Sequence, residues 1–211
     1  MDKIIIALPK GRILKEVLPL LANSGVKPED EFFDDDSRKL IFGTNISNVK
    51  LIKIRSFDVA TFVSYGAAHI GICGSDVLKE FNYDNIYSLD DLKIGACRLS
   101  IAAPEEYKEN KEFWNSSHIK IATKYTNLTK KYFEERGIQA ECIKLNGSIE
   151  LAPKLGLCRR IVDLVSTGNT LKANGMVEGS VIMDVSSRLI VNKQAFKAYK
   201  SELSAITDKI K

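Results

Sequence analysis

The residues best suited to chemistry stand together in Ser166-Thr167-Gly168-Asn169-Thr170, between an apolar run over 161–165 and a helix-like continuation. A turn of small residues at a helix start presents backbone N–H groups that have no partner within the helix, and with the helix dipole these favour an anion. Ser166, Thr167 and Thr170 add hydroxyl donors, and Gly168 lets a ligand come close to the backbone. Asp163 lies just before the turn. A carboxylate there repels phosphate and is better matched to neutral hydroxyls, such as a ribose diol. Acid plus anion loop point to a ribose 5-phosphate. The same residue types also serve as plain helix caps, so this stretch alone does not decide.

Further loops after expected strands carry related chemistry. Lys10, Gly11 and Arg12 follow the first apolar run and open a helix. Cations at a helix N-terminus oppose its dipole unless an anion is present, and two of them around a glycine suit polyphosphate. Arg55 ends a strand directly before a helix, with the same logic. Gly74-Ser75-Asp76 forms a tight turn in which Asp76 could simply cap. Asn146-Gly147-Ser148-Ile149-Glu150 places Glu150 in a first helical turn, where a capping carboxylate is the plain alternative. Arg38, in S-R-K-L, reads by default as solvent-exposed.

The elements that position these loops alternate between strand and helix, which predicts α/β layers with mostly parallel pairing. Strands are expected over 4–8, 39–44, 49–55, 70–73, 93–103, 119–123, 142–145, 161–165, 181–185 and 188–191. The pair 39–44 and 49–55 reads as an antiparallel hairpin. Helices are expected over 13–23, closed by Gly25, and over 57–65, capped by Ser56. More follow from Gly74 to near Phe81, over 105–115, over 128–136 with Gly137 after it, and from Ile149 to Leu155. The last residues, 193–211, fit one helix with Phe196, Tyr199, Leu203 and Ile206 or Ile210 on a face. The alternation predicts two α/β lobes. The first comprises 1–95 and 175–211, and the second 96–174. Ligands in such folds sit at strand C-termini and between domains.

Composition sets the outer bounds. The 211 residues suffice for a sizeable core, and 45% hydrophobic with 27% charged residues is ordinary for a soluble globular protein. A net charge of +4, without a basic block, gives no indication of nucleic acid. No apolar run reaches membrane-spanning length, and the N-terminal run reads as a strand, not a signal peptide. The four cysteines, Cys73, Cys97, Cys142 and Cys158, form no metal-spaced pair and read as free thiols in a reducing, cytoplasmic setting. His69 and His118 have no companions that would make them ligands or general bases. No protein-ligand metal site is expected.

Taken in order, the motifs resemble the catalytic core of the ATP phosphoribosyltransferase family in its short form. The matching stretches are A-L-P-K-G-R at 7–12, G-I-C-G-S-D at 71–76 and I-A-T-K-Y-T-N-L-T at 121–129. They continue with K-L-N-G-S-I-E-L-A-P at 144–153, D-L-V-S-T-G-N-T-L-K-A-N-G at 163–175 and S-S-R-L-I-V-N at 186–192. The resemblance covers essentially the whole chain. It implies a two-lobed fold like a type II periplasmic binding protein, with the active site in the cleft between lobes. It implies a reaction that joins N1 of the ATP adenine to C1 of 5-phosphoribosyl 1-pyrophosphate, releases pyrophosphate, uses magnesium held mainly by substrate phosphates, and opens histidine biosynthesis.

By that resemblance the loop from Ser166 to Thr170 holds the 5-phosphate, and Asp163 with Glu150 holds the ribose hydroxyls. Lys10, Arg12, Arg38 and Arg55 face pyrophosphate or triphosphate, Arg55 across a dimer interface. Gly74 and Asp76 border a nucleotide pocket. Short forms depend on a regulatory subunit similar to the catalytic domain of histidyl-tRNA synthetase, so a homodimer within a hetero-oligomer is implied. Two other readings of the residues stay open at this point. One is a binding or sensor protein with the same lobes, separable by turnover. The other is a base-salvage phosphoribosyltransferase, separable by testing adenine against ATP.

Overall fold

The computed structural model describes residues 3–210 and divides into two compact units. Among the described residues the first comprises 3–95 and 186–210, the second 96–185.

In the first unit a mixed sheet of six strands has the order β2-β3-β1-β4-β11-β5. These are β1 (Ile4–Pro9), β2 (Ile41–Phe42), β3 (Val49–Ile54), β4 (Ile70–Gly74), β5 (Ile86–Asp91) and β11 (Ser187–Asn192). Side chains alternate across a strand, so each apolar run feeds two cores. Ile4, Ile6 and Leu8 join Leu51, Ile72 and Leu189 on one face, under α1 (Arg12–Asn23) and α9 (Lys200–Thr207). Ala7, Ile52, Cys73 and Ile190 face the other way, onto Val59, Ala60 and Val63 of α2 (Ser56–Ser64). Strand β1 runs parallel to both β3 and β4. Their C-terminal ends therefore share one sheet edge. Lys10-Gly11-Arg12, Arg55 and Gly74-Ser75-Asp76 all leave the sheet there, the last into α3 (Ser75–Phe81).

The second unit holds a sheet of five strands in the order β10-β6-β9-β7-β8. They are β6 (Cys97–Pro104), β7 (His118–Thr123), β8 (Gln139–Lys144), β9 (Arg160–Val165) and β10 (Met176–Val185). Strand β7 is parallel to β8 and β9, whereas β6 is antiparallel to β9 and β10. The shared C-terminal edge of β7, β8 and β9 delivers Lys124, the approach to Glu150, and Ser166. Two short helices follow at that edge, α6 (Leu151–Lys154) and α7 (Asn169–Ala173). The helix between β7 and β8 is α5 (Thr126–Glu134).

Several expectations need correction. Pairing is mixed, not mostly parallel. Residues 175–185, expected with the first lobe, belong to the second unit, where 176–185 form β10 and pair with β6. The expected strand over 93–103 begins at Cys97, because Lys93 and Gly95 adopt positive φ, 55° and 63°, and turn the chain. Strand β5 was not anticipated; it is a largely exposed edge without an apolar alternation to announce it. The helix over 105–115 is a 3₁₀ turn, Glu105–Tyr107, then α4 (Lys111–Trp114), restarted where the Asn110 side chain accepts from Phe113 N–H at 2.9 Å. The hairpin partner of β3 is only Ile41–Phe42, though it is antiparallel as expected. Ser56 begins α2 and does not cap it; Arg55 holds the cap position. The helix after Asn146 starts at Leu151, since Ser148 takes φ 50°. The terminal helix breaks at Tyr199 (φ −132°, ψ 42°) into α8 (Lys193–Ala198) and α9. Lys211 lies outside the described residues.

Gly71 shows how tightly α2 lies on β4. A Cβ there would stand 2.7 Å from Val63 and 2.8 Å from Val59. Gly71→Ala should lower the thermal midpoint by roughly 3–10 °C through overpacking, measured by circular dichroism.

Candidate active site

At the edge of the first unit, Lys10 N–H donates to the Ile54 carbonyl at 2.7 Å, so the β1–β3 ladder continues one residue past the strand. Gly11 then takes φ 92°, ψ −149°, where a side chain would be strained, and occupies the cap position of α1. That cap supplies no side-chain hydrogen bond, and the first turn of α1 contains no acid. Leu14 N–H donates to the Gly11 carbonyl at 3.1 Å and closes this first turn, and a helix start without an acid is one that an anion can approach. A pocket of about 800 Å³ opens beside it, and Lys10, Gly11, Arg12, Lys15, Arg38, Lys39 and Lys53 line it together with Asp35. Lys39 is ion-paired to Glu29 at 2.6 Å and Glu31 at 3.1 Å, and Lys53 donates to the Phe32 carbonyl at 3.0 Å. Lys10, Lys15 and Arg38 are exposed at this pocket, with Arg12 beside them.

Three of the expected cations and Gly11 thus share one pocket. Arg55 does not line it. It stands exposed one residue past Ile54, whose register partner is Pro9, so it occupies the next strand end along the same edge. Gly74 and Asp76 reach that edge too, but differently. Asp76 is only 3% exposed, and a Cβ on Gly74 would overlap its carboxylate. Ser75 N–H donates to the Ser186 carbonyl at 2.9 Å, and Ser186 N–H to Ser75 Oγ at 3.3 Å, so β11 closes this strand end. The glycine is required here by its own neighbour's carboxylate.

In the second unit Asp163 sits near the end of β9, flanked by antiparallel β6, where Ser100 is its register partner. Its Oδ1 accepts from Leu164 N–H at 2.8 Å. Burial pushes its carboxyl up to about 6, and the Glu150 carboxylate pushes the same way. The Leu164 N–H and Lys124 pull it down without prevailing. The two carboxylates therefore lie within each other's field. Glu150 holds the cap position of α6. The Thr123 hydroxyl donates to the Val162 carbonyl at 2.8 Å and accepts from Tyr125 N–H at 2.9 Å, fixing the β7 end beside β9.

Beyond Val165 the chain makes the expected turn. Ser166, Thr167, Asn169 and Thr170 are exposed, and Gly168 takes φ 78° at the cap of α7. Asn169 N–H reaches the Thr167 hydroxyl at 3.4 Å. Because α7 is Asn169–Ala173 only, its dipole is small, and the individual N–H and hydroxyl donors matter more. The Ser166 carbonyl accepts from Arg98 Nη1 at 3.3 Å.

Sequence reasoning missed Lys15, Lys124, and the pair Arg98 and Glu178. Lys124 was visible as the first residue after a predicted strand. Lys15 lies one turn into α1. Arg98 and Glu178 are brought together only by strand pairing. His69 is structural, as expected: its Nδ1 accepts from Ile5 N–H at 2.9 Å, and burial lowers its pKa. Among the described residues no group of three His, Cys, Asp or Glu side chains could hold a metal, and no helix is long and apolar enough to cross a membrane.

Comparison with known proteins gives the arrangement a family. The HisG family model, described as ATP phosphoribosyltransferase, matches residues 55–211. The ATP phosphoribosyltransferase of Rhodospirillum rubrum is 58% identical over 204 residues, covering 97% of this chain and 90% of the relative. That of Novosphingobium aromaticivorans is 58% identical over 205 residues, covering 97% and 92%. A chain of the ATP phosphoribosyl transferase (HisG:HisZ) complex from Thermotoga maritima matches with TM-score 0.82 at 29% identity, over 98% of this chain and 96% of that one. The Bordetella pertussis BvgS VFT2 domain shares the fold alone, with TM-score 0.61 at 10% identity, over 99% and 87%. The fold is thus the two-lobed α/β class of periplasmic-binding-protein type. With the family model matched over residues 55–211 and near-complete coverage of its relatives, the chain belongs to the ATP phosphoribosyltransferase family, enzymes of the first step of histidine biosynthesis.

Proposed function

We propose that the second unit binds the 5-phosphoribosyl half of the substrate pair and the first unit the polyphosphates. The observation that carries this reading is the sorting of charge: coupled acids with an anion turn on one sheet, clustered cations on the other. The turn from Ser166 to Thr170 takes the 5-phosphate through backbone N–H groups and hydroxyls. Asp163 and Glu150 accept from the ribose hydroxyls. Lys10, Arg12 and Arg38, with Gly11 as backbone, take pyrophosphate or triphosphate. Arg55 serves the same anions, from a second copy of the chain. Gly74 borders the nucleotide, with Asp76 bracing it from within.

The chemistry then follows. The lone pair of adenine N1 attacks C1 of the sugar, the C1–O bond breaks, and pyrophosphate leaves with the electron pair. Positive charge builds on the ribose ring and negative charge on the leaving oxygens. An ionised Asp163 stabilises the first, and the cations the second. N1 attacks as a neutral lone pair, so no strong base is needed to start. Most of the rate comes from holding two bulky anions in line. Asp163 and Glu150 are the acids of the second unit's sheet edge that would hold magnesium together with the substrate phosphates, and the ion would supply neutralisation of the charge developing on the leaving group. A regulatory subunit, like the partner in the Thermotoga complex, is proposed to assemble with dimers of this chain in the cytoplasm.

The direct test is near-ultraviolet absorbance with ATP, 5-phosphoribosyl 1-pyrophosphate, magnesium and a pyrophosphatase, with and without that subunit. An N1 adduct changes the adenine chromophore, so a steady rise with ATP and none with adenine is expected. A rise with adenine, or no rise under either condition, would overturn the reading.

The raised pKa of Asp163 gives a second test. Holding it ionised at neutral pH costs on the order of 2–3 kcal/mol. The folded protein binds this proton more tightly than the unfolded chain, so this group's contribution to stability falls as pH rises from about 4 to 6. Activity should move oppositely. The kcat/KM for the phosphoribosyl substrate should drop about tenfold per pH unit below pH 6. Asp163→Asn should keep the fold, lose turnover by at least about 100-fold and abolish that acid limb.

A further inference from the structure

Arg98 lies at the start of β6, opposite Val165 of β9 and Asp184 of β10. Glu178 lies farther along β10, opposite Ala102, beside a bulge that separates it from Val181. Its carboxylate grips the guanidinium at both ends, Nε to Oε1 and Nη2 to Oε2, each at 2.5 Å, and also accepts from Ser100 Oγ at 2.7 Å. This pairing leaves Nη1, which donates to the Ser166 carbonyl. Arg98 thus connects a rigid cross-strand pair to the first residue of the anion turn.

A trans peptide sets its C=O and N–H on opposite sides, and no peptide among the described residues is cis. Turning the Ser166 carbonyl toward Arg98 therefore turns the Thr167 N–H away from it. We propose that Arg98, locked by Glu178, is a positioning residue that orients the turn's N–H groups for the 5-phosphate; this rests on the reading of the turn given above. The charge of Arg98 is already matched by Glu178, so it acts through the turn and not as an anion ligand. Arg98, Glu178, Thr167 and Gly168 also line one pocket of about 470 Å³, so direct contact with an anion is the alternative to exclude.

The two ideas predict opposite signs for Glu178→Gln. If Arg98 bound the anion directly, freeing its charge would lower KM for 5-phosphoribosyl 1-pyrophosphate. As a positioning pair, the change loosens Arg98 and raises that KM by about five- to tenfold. Arg98→Met should raise it by about tenfold or more, with kcat changed less than about threefold and KM for ATP within about twofold. Arg98→Lys should recover part of the loss, and Arg98→Met with Glu178→Gln should be no worse than Arg98→Met alone. Folding is checked by the emission of Trp114, the one tryptophan, which lies in this unit. A lower or unchanged KM in folded Glu178→Gln overturns the inference. Thr170→Val separates the levels. If it leaves the KM unchanged, the reading of the turn fails. If it raises the KM while the Arg98 and Glu178 variants do not, only the positioning role fails.

Discussion

A carboxylate kept ionised against its surroundings governs the second unit. Asp163 is drawn out of water at the end of a strand and faces the field of Glu150, and both effects favour its proton. The Leu164 N–H and Lys124 offset part of this. Such a group is costly in the free protein and gains most when a neutral diol or a developing cation comes to it. The parallel strands β7, β8 and β9 make the arrangement possible. Their common edge gathers Lys124, Glu150, Asp163 and the anion turn from segments distant in sequence.

The first unit solves the complementary problem. Parallel β1, β3 and β4 bring three loops to one edge, and Gly11 allows the sharp entry into α1, whose first turn holds no acid. Cations there oppose the helix dipole and one another. Partial pairing, such as Lys39 with Glu29 and Glu31, limits that repulsion while Lys10, Lys15 and Arg38 stay at the surface. On the function proposed above, a bound polyphosphate relieves the repulsion that remains.

Much of this was legible in the sequence, for physical reasons. The continuous apolar run of β1 reports burial on both faces of a sheet. Glycines at positions 11 and 168 mark turns that need positive φ. The loops with chemistry follow strands, which locates them at sheet edges. What stayed hidden depends on partners distant in sequence. Strand β5 is exposed and held by β11, so no local pattern marks it. The break at Asn110 is a single side-chain bond, and the break at Tyr199 a single backbone torsion. The link from Glu178 through Arg98 to Ser166 exists only once β6 lies between β9 and β10.

On the function proposed above, the phosphoribosyl half binds at the acid-and-turn edge of the second unit. The most direct measurement is backbone amide NMR of the chain titrated with ribose 5-phosphate, which carries the sugar and phosphate without the leaving group. The account predicts that the largest shifts fall on Thr167, Gly168, Asn169 and Thr170, with smaller ones at Leu164 and Glu150, while Gly11 and Arg12 stay in place. Shifts concentrated at Gly11 and Arg12, with the turn unmoved, would contradict it.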